Sequence, residues 1–256
     1  MKTITTTDGE YKFDEVKHFH YLNGEKLTGV TTVLGVIAKP MLIPWAAGEV
    51  VKYIKENTER ISMKDLVSEK KDYGYFVSEE MLELARKAHT AKKEKAGAWG
   101  EIVHKVIELW IKTGEVVTEV TIKCETYPVT PDHMKAVNHF TIWATQHNVK
   151  FIHSEQNVYS KEMWVGGIAD LVIELDGKRL VGDIKTSSGI YNEHFFQAAA
   201  YDICLEEMGL GSVEGYLIIN LKKDGTMDMK IAENKEINRE AFRSALSLYR
   251  IQQSLK

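Results

Sequence analysis

The distribution of apolar positions changes character at Lys150. Beyond it, Phe151–Tyr159 reads as extended chain. Trp164–Leu175 and Arg179–Lys185 are dense in Val, Ile and Leu and flank Asp176-Gly177, the signature of a two-residue hairpin turn. Tyr191–Met208 has helical texture and stops at Gly209. Glu214–Leu221 and Thr226–Ala232 form another strand pair around Lys223-Asp224-Gly225. A closing helix over Ile237–Ser254 carries Phe242, Leu246 and Tyr249 on its apolar side. The second half thus predicts the order β-β-β-α-β-β-α.

The first half predicts mainly helices. His18–Leu22 is extended and meets Asn23-Gly24, a strong hairpin signal. Helical patterns follow from Thr31 to Ile37 and from about Pro44 to Asn57. Ser78–Thr113 reads as one long helix with Ser78 as cap and Glu79 and Glu80 in the first turn; Gly97 and Gly100 mark candidate breaks. Thr130-Pro131-Asp132 starts another, with Pro at the first helical position and Val137, Phe140 and Trp143 on one face. No repeat, low-complexity tract or Pro/Gly-rich linker divides the 256 residues. The expected architecture is one α/β domain: a mixed central sheet flanked by helices over 96–256, preceded by a hairpin and helical region over 1–95.

Composition narrows the function classes. Hydrophobic residues at 44% and charged residues at 27% exclude wholesale disorder. No stretch approaches the roughly 18 apolar residues of a membrane span. The N-terminal Met1–Thr5 lacks the apolar core of a signal peptide, so a cytoplasmic protein without a membrane partner is expected. Two cysteines, Cys124 and Cys204, are too few for a disulfide framework or an iron–sulfur cluster. A net charge of −4 argues against a general nucleic-acid coat protein, yet Arg86, Lys87, Lys92, Lys93, Lys95 and Lys105 stand against only Glu94 and Glu101 within one stretch. Such a local surplus attracts phosphates; it also suits a solvated helix face.

The chemistry concentrates on the hairpin. Asp183 ends an apolar strand, and Asp183 and Lys185, two apart, share one face of it. The Asp/Glu-x-Lys triplet recurs elsewhere, as at Glu10–Lys12 and Asp176–Lys178, and is uninformative alone. Here its partner strand carries a lone acid among core residues, Ile168-Ala169-Asp170-Leu171-Val172. A carboxylate in such surroundings is costly unless paired or bound to metal. Paired carboxylates suit Mg²⁺ or Mn²⁺, and a neighbouring ammonium suits phosphodiester hydrolysis. The competing reading is a structural Asp170–Lys185 ion pair. Gln197 and Tyr201, four apart, share a helical face that reaches the site or merely edges the core. His104 shares its face with Glu101 and Glu108, as a ligand or as a partly buried histidine.

Together these residues resemble the RecB-type branch of the PD-(D/E)XK nuclease superfamily. The motifs fall in the family order over roughly residues 97–205: Gly-x-x-x-His from Gly100 to His104, Gly-Gly-Ile-Ala-Asp ending at Asp170, Asp-Ile-Lys-Thr from Asp183, and Gln-x-x-x-Tyr from Gln197 to Tyr201. Val30–Leu34 and Pro44-Trp45 are similar to the N-terminus of phage-encoded exonucleases of this type. The resemblance implies a restriction-endonuclease-like core and a Mg²⁺- or Mn²⁺-dependent deoxyribonuclease, often an exonuclease in recombination, repair or replication. It implies metal ligands His104, Asp170 and Asp183 with the Ile184 carbonyl, catalytic Lys185, accessory Gln197 and Tyr201, and Glu155 as a further candidate. Arg86, Lys87, Lys92, Lys93 and Lys95, with Gln197 and Tyr201, are then the candidates for guiding DNA. Ala169 replaces the proline of the family name, as is common in this branch. No Walker-type phosphate loop is present, so no ATP hydrolysis is expected. An inactive nuclease-fold DNA-binding subunit and a restriction-type endonuclease are the alternatives.

Overall fold

The computed structural model describes residues 2–58, 60–63, 72–75 and 77–256. The chain packs as two units, Met1–Ile37 with Trp99–Lys256, and Ala38–Ala98. The larger unit starts with an antiparallel sheet of β1 (Lys2–Thr6), β2 (Gly9–Asp14), β3 (Phe19–Leu22) and β4 (Glu25–Lys26). Asn23 and Gly24 join β3 to β4 with φ of 51° and 83°, the left-handed pair that a tight hairpin demands. A two-residue strand β5 (Thr28–Gly29) and a short α1 (Val30–Val33), ending in the 3-10 turn Leu34–Val36, complete this N-terminal segment.

The smaller unit contains α2 (Leu42–Asn57), β6 (Arg60–Met63), β7 (Asp72–Tyr75) and the beginning of α3 (Glu79–Thr113). Ser78 Oγ accepts the Met81 N–H at 3.2 Å, as its place before the helix predicts. The expected breaks in α3 do not occur: one helix of 35 residues runs through Gly97 and Gly100. Each glycine costs only about 1 kcal/mol against alanine. Burial of Trp99, Val103, Val106 and Ile107 on the same helix outweighs that.

The larger unit resumes with the hairpin β8 (Glu119–Ile122) and β9 (Glu125–Pro128), then α4 (Pro131–Gln146), capped by Thr130. The central sheet follows: β10 (Lys150–Ser160), β11 (Val165–Leu175) and β12 (Lys178–Lys185) run antiparallel in sequence order. Helix α5 (Asn192–Glu207) crosses to β13 (Gly215–Leu221), which lies parallel to β12, and β14 (Met227–Ala232) closes the edge antiparallel before α6 (Lys235–Ser254). It is a mixed sheet flanked by helices, as expected. Along β13, Tyr216 and Ile218 enter the core beneath α1, α5 and α6, while Leu217, Ile219 and Leu221 enter the core beneath α4 and residues 99–107 of α3. All seven β13 residues are buried, as a strand covered on both faces requires. Phe140 of α4 is fully buried in the second core, so truncation to Ala would cost about 3–5 kcal/mol.

Candidate metal and phosphodiester site

The site arises where the sheet opens. On the edge of β11 away from β10, β12 pairs from Leu171 to Leu175 and β5 pairs in parallel at Val165 and Gly166. Residues 167–170 have no ladder partner on that edge among the described residues. The strand also changes phase here: Ala169 packs in one core and Leu171 in the other, although residues two apart normally share a face. Opposite this point, Glu155 of β10 sits at φ 50°, in the left-handed region that costs a non-glycine residue about 1 kcal/mol or more.

This irregularity gathers side chains from three elements. His104 of α3, Glu155 of β10 and Asp170 of β11 each offer a ligand atom within 4.8 Å of the others. His104 Nδ1 lies 3.6 Å from Asp170 Oδ2 and 4.0 Å from Glu155 Oε1. The Ile184 N–H, unpaired on the opened edge, donates to Asp170 Oδ2 at 2.8 Å. The carbonyl of a strand residue projects to the same edge as its N–H, so the Ile184 oxygen faces this side too.

Asp183 and Lys185 share a face of β12, as their spacing predicts. Lys185 Nζ lies 2.7 Å from Asp183 Oδ2 and donates to Gln197 Oε1 at 3.0 Å; Gln197 Nε2 donates to the Tyr201 hydroxyl at 2.7 Å. Lys185 is therefore paired with Asp183, and the expected alternative of an Asp170–Lys185 pair does not form. Asp183 is fully buried, and neither of its oxygens accepts a well-aligned hydrogen bond. Its carboxylate is not among the three groups clustered within 4.8 Å; Glu155, the lesser candidate, is.

Two glycines allow these elements to approach. A Cβ on Gly100 would lie 2.6 Å from Thr186 Oγ1, so this glycine sets α3 against the end of β12 and brings His104 to the site. A Cβ on Gly167 would lie 2.6 Å from the Tyr201 ring.

The electrostatics are unbalanced. Three carboxylates, Glu155, Asp170 and Asp183, gather around the Lys185 ammonium, with Lys105 and Lys112 pulling on Glu155. Burial pushes Glu155 up to about 8, with Asp170 adding to the rise. Burial likewise pushes Asp183 up to about 7 against the pull of Lys185. Burial disfavours the Lys185 ammonium, but Asp183 and Asp170 outweigh it and raise its pKa. The donor set of one imidazole and several carboxylate oxygens, with the buried Asp183 Oδ1 lacking a partner, fits a hard divalent cation.

The basic stretch divides between the two units. Arg86, Lys87, Lys92, Lys93 and Lys95 belong to the smaller unit, where Arg86 pairs with Glu83 and Lys92 with Glu49, leaving Lys87, Lys93 and Lys95 exposed. Lys105, in the larger unit, pairs with Glu108 at 2.7 Å. Cys124 is exposed and Cys204 is buried in α5. Among the described residues no helix is long and apolar enough to cross a membrane.

Sequence reading missed the floor and wall of the site. A cleft of about 530 Å³ is lined by Glu155, Asp170 and Tyr201 together with residues 18–20, 26–32 and 166–168. The available signal was Val30–Leu34, singled out only by resemblance.

No family model matches the chain, and no curated protein matches it. A solved structure described as the crystal structure of SSO0001 is similar at 16% identity and a TM-score of 0.28, covering 45% of this chain. The chain spans 58% of the length of that protein.

Proposed function

We propose that the chain is a divalent-cation-dependent deoxyribonuclease with a restriction-endonuclease-like core of the RecB type, an exonuclease rather than an endonuclease, serving DNA recombination, repair or replication. One observation carries the reading: the cluster of His104, Glu155 and Asp170 stands beside the buried Asp183–Lys185 pair at an opened sheet edge. An ion pair built for stability alone does not need two further carboxylates next to it, because like charges raise its cost.

His104, Glu155 and Asp170 would hold the Mg²⁺ or Mn²⁺, with Asp183 and the Ile184 carbonyl as further oxygen donors. When bound, the cation supplies Lewis acidity toward the phosphodiester and balances the charge of the carboxylates. Lys185 remains an ammonium at neutral pH, so it acts as a donor and a positive charge rather than as a base. Gln197 Oε1 and Asp183 fix Nζ from two sides and leave its third proton for the substrate. The Tyr201 hydroxyl accepts from Gln197 and so keeps its own proton to donate toward the cleft.

The test is cleavage of end-labelled single-stranded, double-stranded and closed circular DNA in Mg²⁺, Mn²⁺ and EDTA. The reading expects cation-dependent loss of linear but not circular DNA, falling about a hundredfold or more in Asp183→Ala and Lys185→Ala. Full activity in both purified variants would overturn it. Fragments from closed circles would favour an endonuclease, and binding without cleavage would favour an inactive subunit.

A further inference from the structure

The cleft beside the cluster has a wall that the proposed chemistry does not use. It is formed by β3, β4 and the chain from β5 into α1, all within the larger unit. Lys26 is the sole Lys or Arg among the residues lining the cleft, which Glu155 and Asp170 also line. Its side chain is exposed and makes no ion pair among the described residues. Instead Nζ sits 3.1 Å from the centroid of the Phe19 ring, a cation–π contact that pins the ammonium at the cleft wall. The Trp164 indole N–H donates to the Lys26 carbonyl at 3.1 Å and ties the same residue to the start of β11. The exposed hydroxyl-bearing Thr31 and Thr32 and the exposed imidazole of His18 complete the wall.

A charge left unpaired, held by an aromatic ring and placed in a cleft with carboxylates is suited to a polyanion that must also approach those carboxylates. The volume suits a small ligand, within the ~300–1,000 Å³ typical of such clefts. A nucleotide can enter such a space only when it is out of the base stack. We propose that this wall is the subsite for the nucleotide adjoining the cleaved bond: Lys26, positioned by Phe19, contacts its phosphate, its unstacked base lies along His18, Thr31 and Thr32, and the strand that enters is single. This inference rests on the nuclease reading for the identity of the neighbouring bond.

The test is equilibrium binding of a fluorescent phosphorothioate oligonucleotide, single-stranded or as a blunt duplex, in Ca²⁺ at several salt concentrations. Wild type should bind the single strand at least about tenfold more tightly than the duplex, in the range of one or two stacked and neutralised nucleotides. Lys26→Gln should weaken single-strand binding about tenfold and reduce the slope of log K against log salt by about 0.7, the mark of one lost phosphate contact. Phe19→Ala should weaken binding less, because the charge survives but is no longer held. An unchanged slope in Lys26→Gln, or equal affinity of wild type for duplex, would overturn the proposal. Cleavage of single-stranded ends with Lys26→Gln indistinguishable from wild type would remove this subsite and leave the nuclease reading intact. The expected binding pattern without any cleavage would do the reverse.

Discussion

Two ionic clusters in the larger unit are each built around a fully buried aspartate, Asp202 or Asp183, and they differ in how that aspartate is partnered. Between α5, β13 and α6, the fully buried Asp202 receives Arg239 at 2.6 Å, Lys235 at 3.2 Å and the Tyr216 hydroxyl at 2.8 Å, all on Oδ2. Glu206 joins Arg239 at 2.6 Å and Lys235 at 3.4 Å. Asp202 and Glu206 meet Lys235 and Arg239, and the exposed Glu236 reaches Arg239 at 4.0 Å. One atom, Asp202 Oδ1, remains without a hydrogen bond. At the opened edge of β11, Glu155, Asp170 and Asp183 gather around Lys185 and His104, while Lys105 and Lys112, paired with Glu108, also act on Glu155. Burying charge is tolerable when the charges close on one another. The first cluster is closed by its own cations; in the second, burial leaves the Glu155 and Asp183 carboxyls above the ordinary carboxylate range despite the neighbouring lysines.

The comparison can be broken most sharply by catalysis. Lys185→Ala should lower DNA cleavage about 10²–10⁴-fold. Arg239→Met should leave the rate per folded molecule near wild type. A comparable loss in both would erase the distinction.

Stability should reverse that order. Arg239→Ala strands a buried Asp202 and should cost about 3–5 kcal/mol, lowering Tm by about 6–20 °C for a chain of this size. Thermal unfolding of the variant checks this, and a shift of a degree or two would mean that Lys235 alone suffices.

His20 gives a pH-dependent control outside both clusters. It is buried against Phe13, with Nδ1 2.6 Å from the Tyr11 hydroxyl, and burial lowers its pKa from 6.5 to about 4. The unfolded chain therefore binds the proton better. The stabilisation is complete above about pH 6.5 and is lost as pH falls toward 4, amounting to about 3 kcal/mol. Chemical unfolding of wild type and His20→Gln across this range should show a steeper acid loss in wild type; parallel curves would refute it.

The smallest effect is the most particular. In EDTA at about pH 9, where Glu155 carries its charge beside Asp170, Glu155→Gln should stabilise the protein by about 1 kcal/mol. Destabilisation of similar size would show that the carboxylate is already compensated.

Much of this was legible in residue order. The apolar runs and Asp176-Gly177 predict β11 and β12, and two-residue spacing predicts that Asp183 and Lys185 share a face. The Gln197–Tyr201 spacing predicts their stacking on α5, and the structure adds the hydrogen bond between them. Three features were not legible. The unbroken α3 depends on tertiary burial and on Thr186 needing a glycine opposite it. The grouping of Glu155 with Asp170 depends on a left-handed residue in a strand, which no alternation pattern encodes. The cleft wall depends on β5 pairing with Val165 and Gly166, a contact between distant parts of the chain that neither segment's local pattern reveals.

The claim that the cluster at the opened edge binds a divalent cation is tested most directly by titrating the purified protein with Mn²⁺ and reading free ion by electron paramagnetic resonance. Wild type should deplete free Mn²⁺ with saturable binding, and Asp170→Ala should weaken that binding tenfold or more while Asp202→Asn leaves it unchanged. No saturable binding by wild type, or equal binding by Asp170→Ala, would contradict the account.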